Sequence, residues 1–355
     1  LAFGHGLAKQ EDFPEQLIHD FDWKQWRAQQ DDASLAIAGD APAIERVKWA
    51  LGQAPKTLPP AEQPEFLTDA ESSLMTHDRW TPRGVHRVPI HFGHGVRGNL
   101  YFKDGAPTPM PVVVWLHPLS YHSGYNEGYG VQGTTVYQRL AENGFAVIAY
   151  DQCGFGLRLL EGRDFYKNHP RWSKLGRMVM DARAAVSFAV EGRDAAKSAI
   201  PEFDTKRVFL LGYSSGALSA MYAGALDDRI AGVACFSGWT PLRDTRNAKV
   251  TGGNRRLWEL HALQPRLGLF DGRESEMPFD YDDVLGLVLP KPCLVVTPKR
   301  DRYADFSAVV EVIDKVRSAK PRIAKGSFAW LAPDDTNRFQ ADQHQEFINW
   351  TKTLE

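Results

Sequence analysis

The 355 residues leave room for one large α/β domain with an appendage, or for two modest domains. Charged residues make up 24% and hydrophobic ones 43%, and the formal net charge is -2, a balance with no bias toward nucleic acid or an anionic membrane. No apolar run approaches the ~20 residues that span a bilayer, so neither partner is expected. The chain opens at Leu1 without Met or a basic and apolar leader, a start compatible with a cytoplasmic chain trimmed at its end or an exported one whose signal has been removed.

Residues 1 to about 78 read as a helical N-terminal extension. Leu17, Ile18, Phe21, Trp23 and Trp26 recur at near-helical spacing between Glu15 and Gln29, and Ile44, Val47 and Leu51 form a second stripe after Pro42. The proline-rich stretch from Pro55 to Pro64 breaks any helix and reads as an extended connector. The period then changes to two. Runs from Val85 and from Val96 flank Gly93-His94-Gly95, a hairpin signal on which His91 and His94 read as turn residues and not as metal ligands.

From here strands and helices alternate. Pro111 to Leu116 and Phe145 to Tyr150 are continuous buried strands around a helix from Thr135 to Asn143. Met178, Ala182, Ala185, Val186 and Ala189 stripe a helix closed by Gly192. Val208 to Leu211 then runs into Gly212-Tyr213-Ser214-Ser215-Gly216, and a helix of small residues follows. Strands recur at Ile230 to Phe236, Pro292 to Thr297 and Ser327 to Leu331, with helices at Ser307 to Val316 and Asp342 to Leu354. Cys153, Cys235 and Cys293 each fall in or beside a strand and read as buried free thiols. This order predicts a mostly parallel sheet with helices on both faces over residues 79–355, interrupted at 239–288 by a lid-like insertion.

The strand–turn–helix setting makes Gly212 to Gly216 a nucleophile elbow, with Ser214 as nucleophile and small residues required beside it. A serine needs a base, an orienting acid and two N–H groups for the oxyanion. Asp301, just past the strand that ends at Thr297, is the expected acid, with Asp305 as the alternative. Ser215 and Leu119 supply the N–H groups, because Pro118 has none. The loop from Tyr121 to Tyr125 and the insertion from Trp239 are expected to line the substrate, through Tyr121, His122, Tyr125 and Trp239.

On the elbow, the His117-Pro118 turn, Asp151-x-x-Gly154-x-Gly156 and the Asp301 loop, the sequence over about residues 80–355 resembles the α/β-hydrolase superfamily. Within it, the chain is similar to the dienelactone-hydrolase and acetyl-xylan-esterase-like bacterial branch. The resemblance implies an eight-stranded core sheet, no metal or organic cofactor, and hydrolysis of a carboxylic ester on a small molecule or glycan. It also implies a histidine in the loop after the last strand. That loop reads Asp335-Thr336-Asn337-Arg338-Phe339, and the histidine that follows Asp301 is His344, three residues before Phe347 on the closing helix. Either His344 has taken over as base, or the base is another group such as His122. A silent scaffold that binds a ligand in the same pocket, and an amidase or peptidase, are the competing functions.

Overall fold

The structure is a computed structural model and describes residues 21–58, 61–66, 84–126, 134–191, 200–244, 253–289, 291–319 and 327–354. The first half of the helix expected at Glu15 to Gln29, the boundary at residue 78 and part of the insertion (residues 245–252) lie outside them. One nine-stranded sheet runs in the order β1-β2-β3-β5-β4-β6-β7-β8-β9. Its strands are β1 (Glu62–Phe66), β2 (Val85–Gly93), β3 (Val96–Lys103), β4 (Met110–Leu116), β5 (Ala146–Tyr150), β6 (Phe203–Tyr213), β7 (Gly232–Phe236), β8 (Cys293–Val296) and β9 (Phe328–Leu331). The hairpin β2–β3 pairs antiparallel and joins β5 antiparallel, whereas β5, β4, β6, β7, β8 and β9 are mutually parallel neighbours.

Strands β2 to β9 are the eight of the expected core sheet. The ninth, β1, comes from the stretch read as a connector. Its Pro64 removes a ladder donor, which an edge strand tolerates, and its register with β2 shifts between Glu62 and Glu65.

Eight helices carry labels here: α1 (Trp23–Ala28), α2 (Ala43–Leu51), α3 (Val136–Glu142), α4 (Lys174–Glu191), α5 (Ser215–Leu226), α6 (Tyr281–Val288), α7 (Phe306–Ala319) and α8 (Ala341–Lys352). Some starts are set by side-chain caps. Thr135 and Gln138 form a capping box on α3, and Asp280 with Asp283 forms one on α6. Val112 to Leu116 of β4 are fully buried between helical layers, each side chain contributing about 2 kcal/mol of burial. All three cysteines are buried and free, as read from the sequence.

The insertion differs from a loose cover. Leu257, Trp258, Leu263 and Leu267 are buried, and its last part is α6, packed on α5. The N-terminal helices pack on this layer: Trp23 Nε1 donates to Pro265 O at 2.8 Å, Arg266 to Trp49 O at 2.6 Å, and Arg46 pairs with Asp283 at 3.1 Å. Extension and insertion therefore stabilise one another over the helix that follows the elbow. Among the described residues no helix is long and apolar enough to cross a membrane, and no group of His, Cys, Asp and Glu is placed to hold a metal ion.

Candidate active site

Parallel strands bring all their C-terminal ends to one edge of the sheet, the usual place for a site in an α/β fold. Ser214 follows β6 there, with φ 54° and ψ -118°. A side chain held in that region costs on the order of 1–3 kcal/mol, so the surroundings must enforce it. Three glycines do so. A Cβ on Gly212 would lie 2.2 Å from Gly216 O, and one on Gly216 would lie 1.8 Å from Leu116 O. Gly238, at φ +89°, would place a Cβ 2.1 Å from Ser214 O. Ser214 N donates to Phe236 O at 2.9 Å, which ties the elbow to the end of β7. Gly212 and Gly216 are visible as a motif, but Gly238 comes from another strand and carries no sequence signal of its own.

Ser215 starts α5, so its N–H lies at the positive end of a helix. Among the described residues, neither the Ser215 N–H nor the Leu119 N–H donates to a protein acceptor. Leu119 belongs to a loop that is braced from within. Buried His117 donates Nδ1–H to Pro118 O at 2.7 Å and accepts Gln152 N at Nε2 at 3.0 Å, while Gln152 Nε2 donates to His117 O at 2.8 Å. Both ring nitrogens are occupied, and burial depresses the His117 pKa to about 4. His117 is a strut.

Asp151, after β5, stitches this loop to the next one. Its carboxylate accepts Tyr125 N at 2.9 Å and Leu157 N at 2.8 Å, and a Cβ on Gly124 or Gly156 would collide with it. Arg158 adds a donor to Asp151 O at 3.0 Å and is itself paired with Asp181 and Glu161.

Asp301 is buried, and its Oδ1 accepts Tyr303 N at 2.9 Å. Burial raises its pKa; the Tyr303 N–H, the Asn337 side-chain amide and the charges of Arg256 and Arg302 oppose that rise. The alternative acid, Asp305, is spent on α7, where its carboxylate accepts Ala308 N at 3.1 Å and the Ser307 hydroxyl.

The expected base makes no hydrogen bond to the nucleophile or the acid. His344 is buried, with its ring 4.7 Å from Phe339. Neither ring nitrogen has a hydrogen-bond partner, so neither Ser214 nor Asp301 is bonded to it. Burial pushes its pKa down to about 4, and Arg139 pushes the same way. The inward register read from Phe347 is correct: the ring packs on Phe339, which in turn stacks on Tyr213 of the elbow.

Two of the residues expected to line the substrate are core residues. Tyr125 is buried against Tyr137, and its hydroxyl accepts Asn99 Nδ2 at 2.6 Å. Trp239 is 2% exposed and packs on Tyr281. Large aromatic surfaces gain more from such packing than from solvent. Tyr121 does remain at the site edge, its ring on Phe155 and its hydroxyl 2.8 Å from His261 Nδ1, and His122 is exposed.

Arg256 and Asn337 are missing from the sequence-derived set. Arg256 is 5% exposed, donates to Gly238 O at 3.1 Å and lies 4.9 Å from the Tyr303 ring, with its Nε unpartnered. A cation thus abuts the glycine that touches Ser214. It opens a π-helical turn (Arg256–Leu260), a distortion frequent at functional sites. The basic composition of the insertion is the one signal that points to it.

A hydrolase family described as serine aminopeptidase, S33, matches residues 112–288. Among solved structures, a promiscuous CE15 esterase from the marine bacterial metagenome is 15% identical over 87% of this chain and 90% of its own, with a TM-score of 0.61. A glucuronoyl esterase from Solibacter usitatus is 15% identical over 94% and 93%, with a TM-score of 0.60. Acetyl xylan esterase 1 from Thermoanaerobacterium sp. JW/SL YS485 is 14% identical over 94% and 99%, with a TM-score of 0.54. At these identities the likeness is one of fold. No curated protein matches at the sequence level.

Proposed function

We propose that this chain, which resembles the α/β-hydrolase superfamily and matches a hydrolase family model over residues 112–288, is a carboxylic ester hydrolase with Ser214 as nucleophile. One observation carries the reading: the strained backbone of Ser214 at φ 54°, closely packed by three glycines from the elbow and the loop after β7. A turn that merely links a strand to a helix has no use for that strain. Ser214 attacks the ester carbonyl, the N–H groups of Ser215 and Leu119 hold the oxyanion, and water releases the acyl group from the acyl-enzyme. The solved carbohydrate esterases of like fold support a glycan or small-molecule ester as substrate.

A silent scaffold is the second reading, favoured by the absence, among the described residues, of a histidine bonded to Asp301. Fluorophosphonate labelling and a panel of short acyl esters, acetylated glycans and peptide anilides separate the two. We expect labelling at Ser214 and ester turnover that falls to the uncatalysed background in Ser214→Ala. A folded, monodisperse parent inert to every substrate and to the probe would establish the scaffold.

A further inference from the structure

The loop after β9 runs alongside the acid loop. Lys299 N donates to Pro333 O and Arg300 N to Asp335 O, both at 2.9 Å. Four residues beyond Asp335, the Phe339 ring stacks on Tyr213, which precedes the nucleophile, at 5.1 Å and 18°. It also stacks on Trp115 at the end of β4, at 5.3 Å and 10°. Asn337 is pinned between these two anchors. Its side chain reaches toward Asp301 and opposes the rise in that acid's pKa, and its Oδ1 is buried without a partner. In a Ser–base–acid relay, the group that bonds the acid from the loop after the last strand is the base.

We infer that Asn337 occupies the base position as a positioning residue, and that Ser214 works without an imidazole, giving up its proton to hydroxide from solvent. The inference rests on the reading of Ser214 as an ester-cleaving nucleophile. A carboxamide can donate to an acid through Nδ2 as an imidazole N–H would, but it takes up no proton in the neutral range. Hydroxide therefore removes the Ser214 Oγ proton and becomes water, and Oγ forms its bond to the carbonyl carbon. The oxyanion collapses, the ester C–O bond breaks, and the leaving alkoxide takes a proton from water, which regenerates hydroxide. A second hydroxide cleaves the acyl-enzyme: it adds to the acyl carbon, Ser214 Oγ leaves and is protonated by water, and the acid departs as its carboxylate. Strain and oxyanion donors remain in place, so the site is a slow serine whose acyl-enzyme is long-lived.

The test compares the parent with Asn337→His and with Asn337→His/Ser214→Ala. It reads p-nitrophenyl acetate turnover and fluorophosphonate labelling across pH. We expect the parent rate to climb about tenfold per pH unit through neutrality, with no inflection in the imidazole range. Asn337→His should gain about 10²–10⁴-fold, acquire an inflection near pH ~6–7, and lose the gain when Ser214 is removed. The parent profile needs no variant, and Asn337→Gly with added imidazole covers a histidine variant that fails to fold. A parent that already levels off near pH ~7, or an Asn337→His variant that is slower than the parent, would overturn the inference and leave the ester reading standing. If neither parent nor Asn337→His, both folded, reacts at Ser214, the ester reading falls and the inference with it.

Discussion

His344 gives the molecule a measurable weakness in mild acid. Its pKa falls from 6.5 to about 4 in the folded chain, chiefly by burial and secondly by Arg139, with Asp342 opposing. The unfolded chain therefore binds a proton below about pH 6.5 that the folded chain refuses until about pH 4. The stabilisation from a neutral His344 is complete above that range and drains away as pH falls through it, at up to about 1.4 kcal/mol per unit. Between about pH 7 and about pH 5 the loss comes to about 2 kcal/mol. His117 is depressed to about 4 for the same leading reason and adds a similar loss, because protonated Nε2 would oppose Gln152 N–H. His344→Leu conserves volume and removes one titration, so urea midpoints converted with a common slope should show about half of this sensitivity gone. Parallel stability–pH curves for parent and variant would refute the argument. The same variant bears on the chemistry: a thousandfold loss of turnover, about the cost of deleting a triad member, would return His344 to the role of base.

Two further outcomes follow from the site. Gly238→Ala places a methyl group 2.1 Å from Ser214 O at φ +89°, so the nucleophile must shift; about 100-fold slower labelling of a folded variant is expected, and a parent-like labelling rate would show that the cradle yields. In the Asn337→His background, Asp301→Asn should remove most of the gained rate by permitting the wrong imidazole tautomer, and an undiminished gain would mean that the new ring does not pair with Asp301.

How far the sequence could be read depends on whether local sterics or tertiary neighbours decide the outcome. The elbow was legible because its backbone needs small residues at fixed offsets, so Gly212 and Gly216 report the turn directly. That the loop carrying Asp301 follows β8 on the same sheet edge as the elbow was legible from topology, since strand order fixes which loops share that edge. Gly238 and Arg256 were not, because their partners lie on other segments. Tyr125 and Trp239 show the converse: aromatic side chains in loops read as ligand-facing, yet burial with Asn99, Tyr137 and Tyr281 prevails. The helical register of His344 correctly predicted an inward ring, but a 3.6-residue period fixes a face and not what the face meets. For β1, pairing with the free edge of β2 overrode a polar, proline-containing sequence.

The features of this site separate two components that usually travel together. Presentation of the proposed nucleophile is a backbone property: Ser214 is packed against Gly212, Gly216 and Gly238, and the N–H groups proposed for the oxyanion are held by the start of α5 and the His117 strut. Proton transfer is a side-chain property, set by one residue between Asp335 and Phe339. Because the two rest on different segments, the second can be absent while the first stays intact. The strain at Ser214 then continues to cost about 1–3 kcal/mol. Arg256 compounds this, since a nearly buried cation beside Asp301 opposes the rise that burial imposes on the acid's pKa whether or not an imidazole is there to be oriented. A buried acid with a cation and a carboxamide near it, and a strained serine at the same edge of the sheet, form an arrangement that lacks a proton acceptor. Reactivity at Ser214 should therefore respond far more to what stands at position 337 than to any histidine among the described residues.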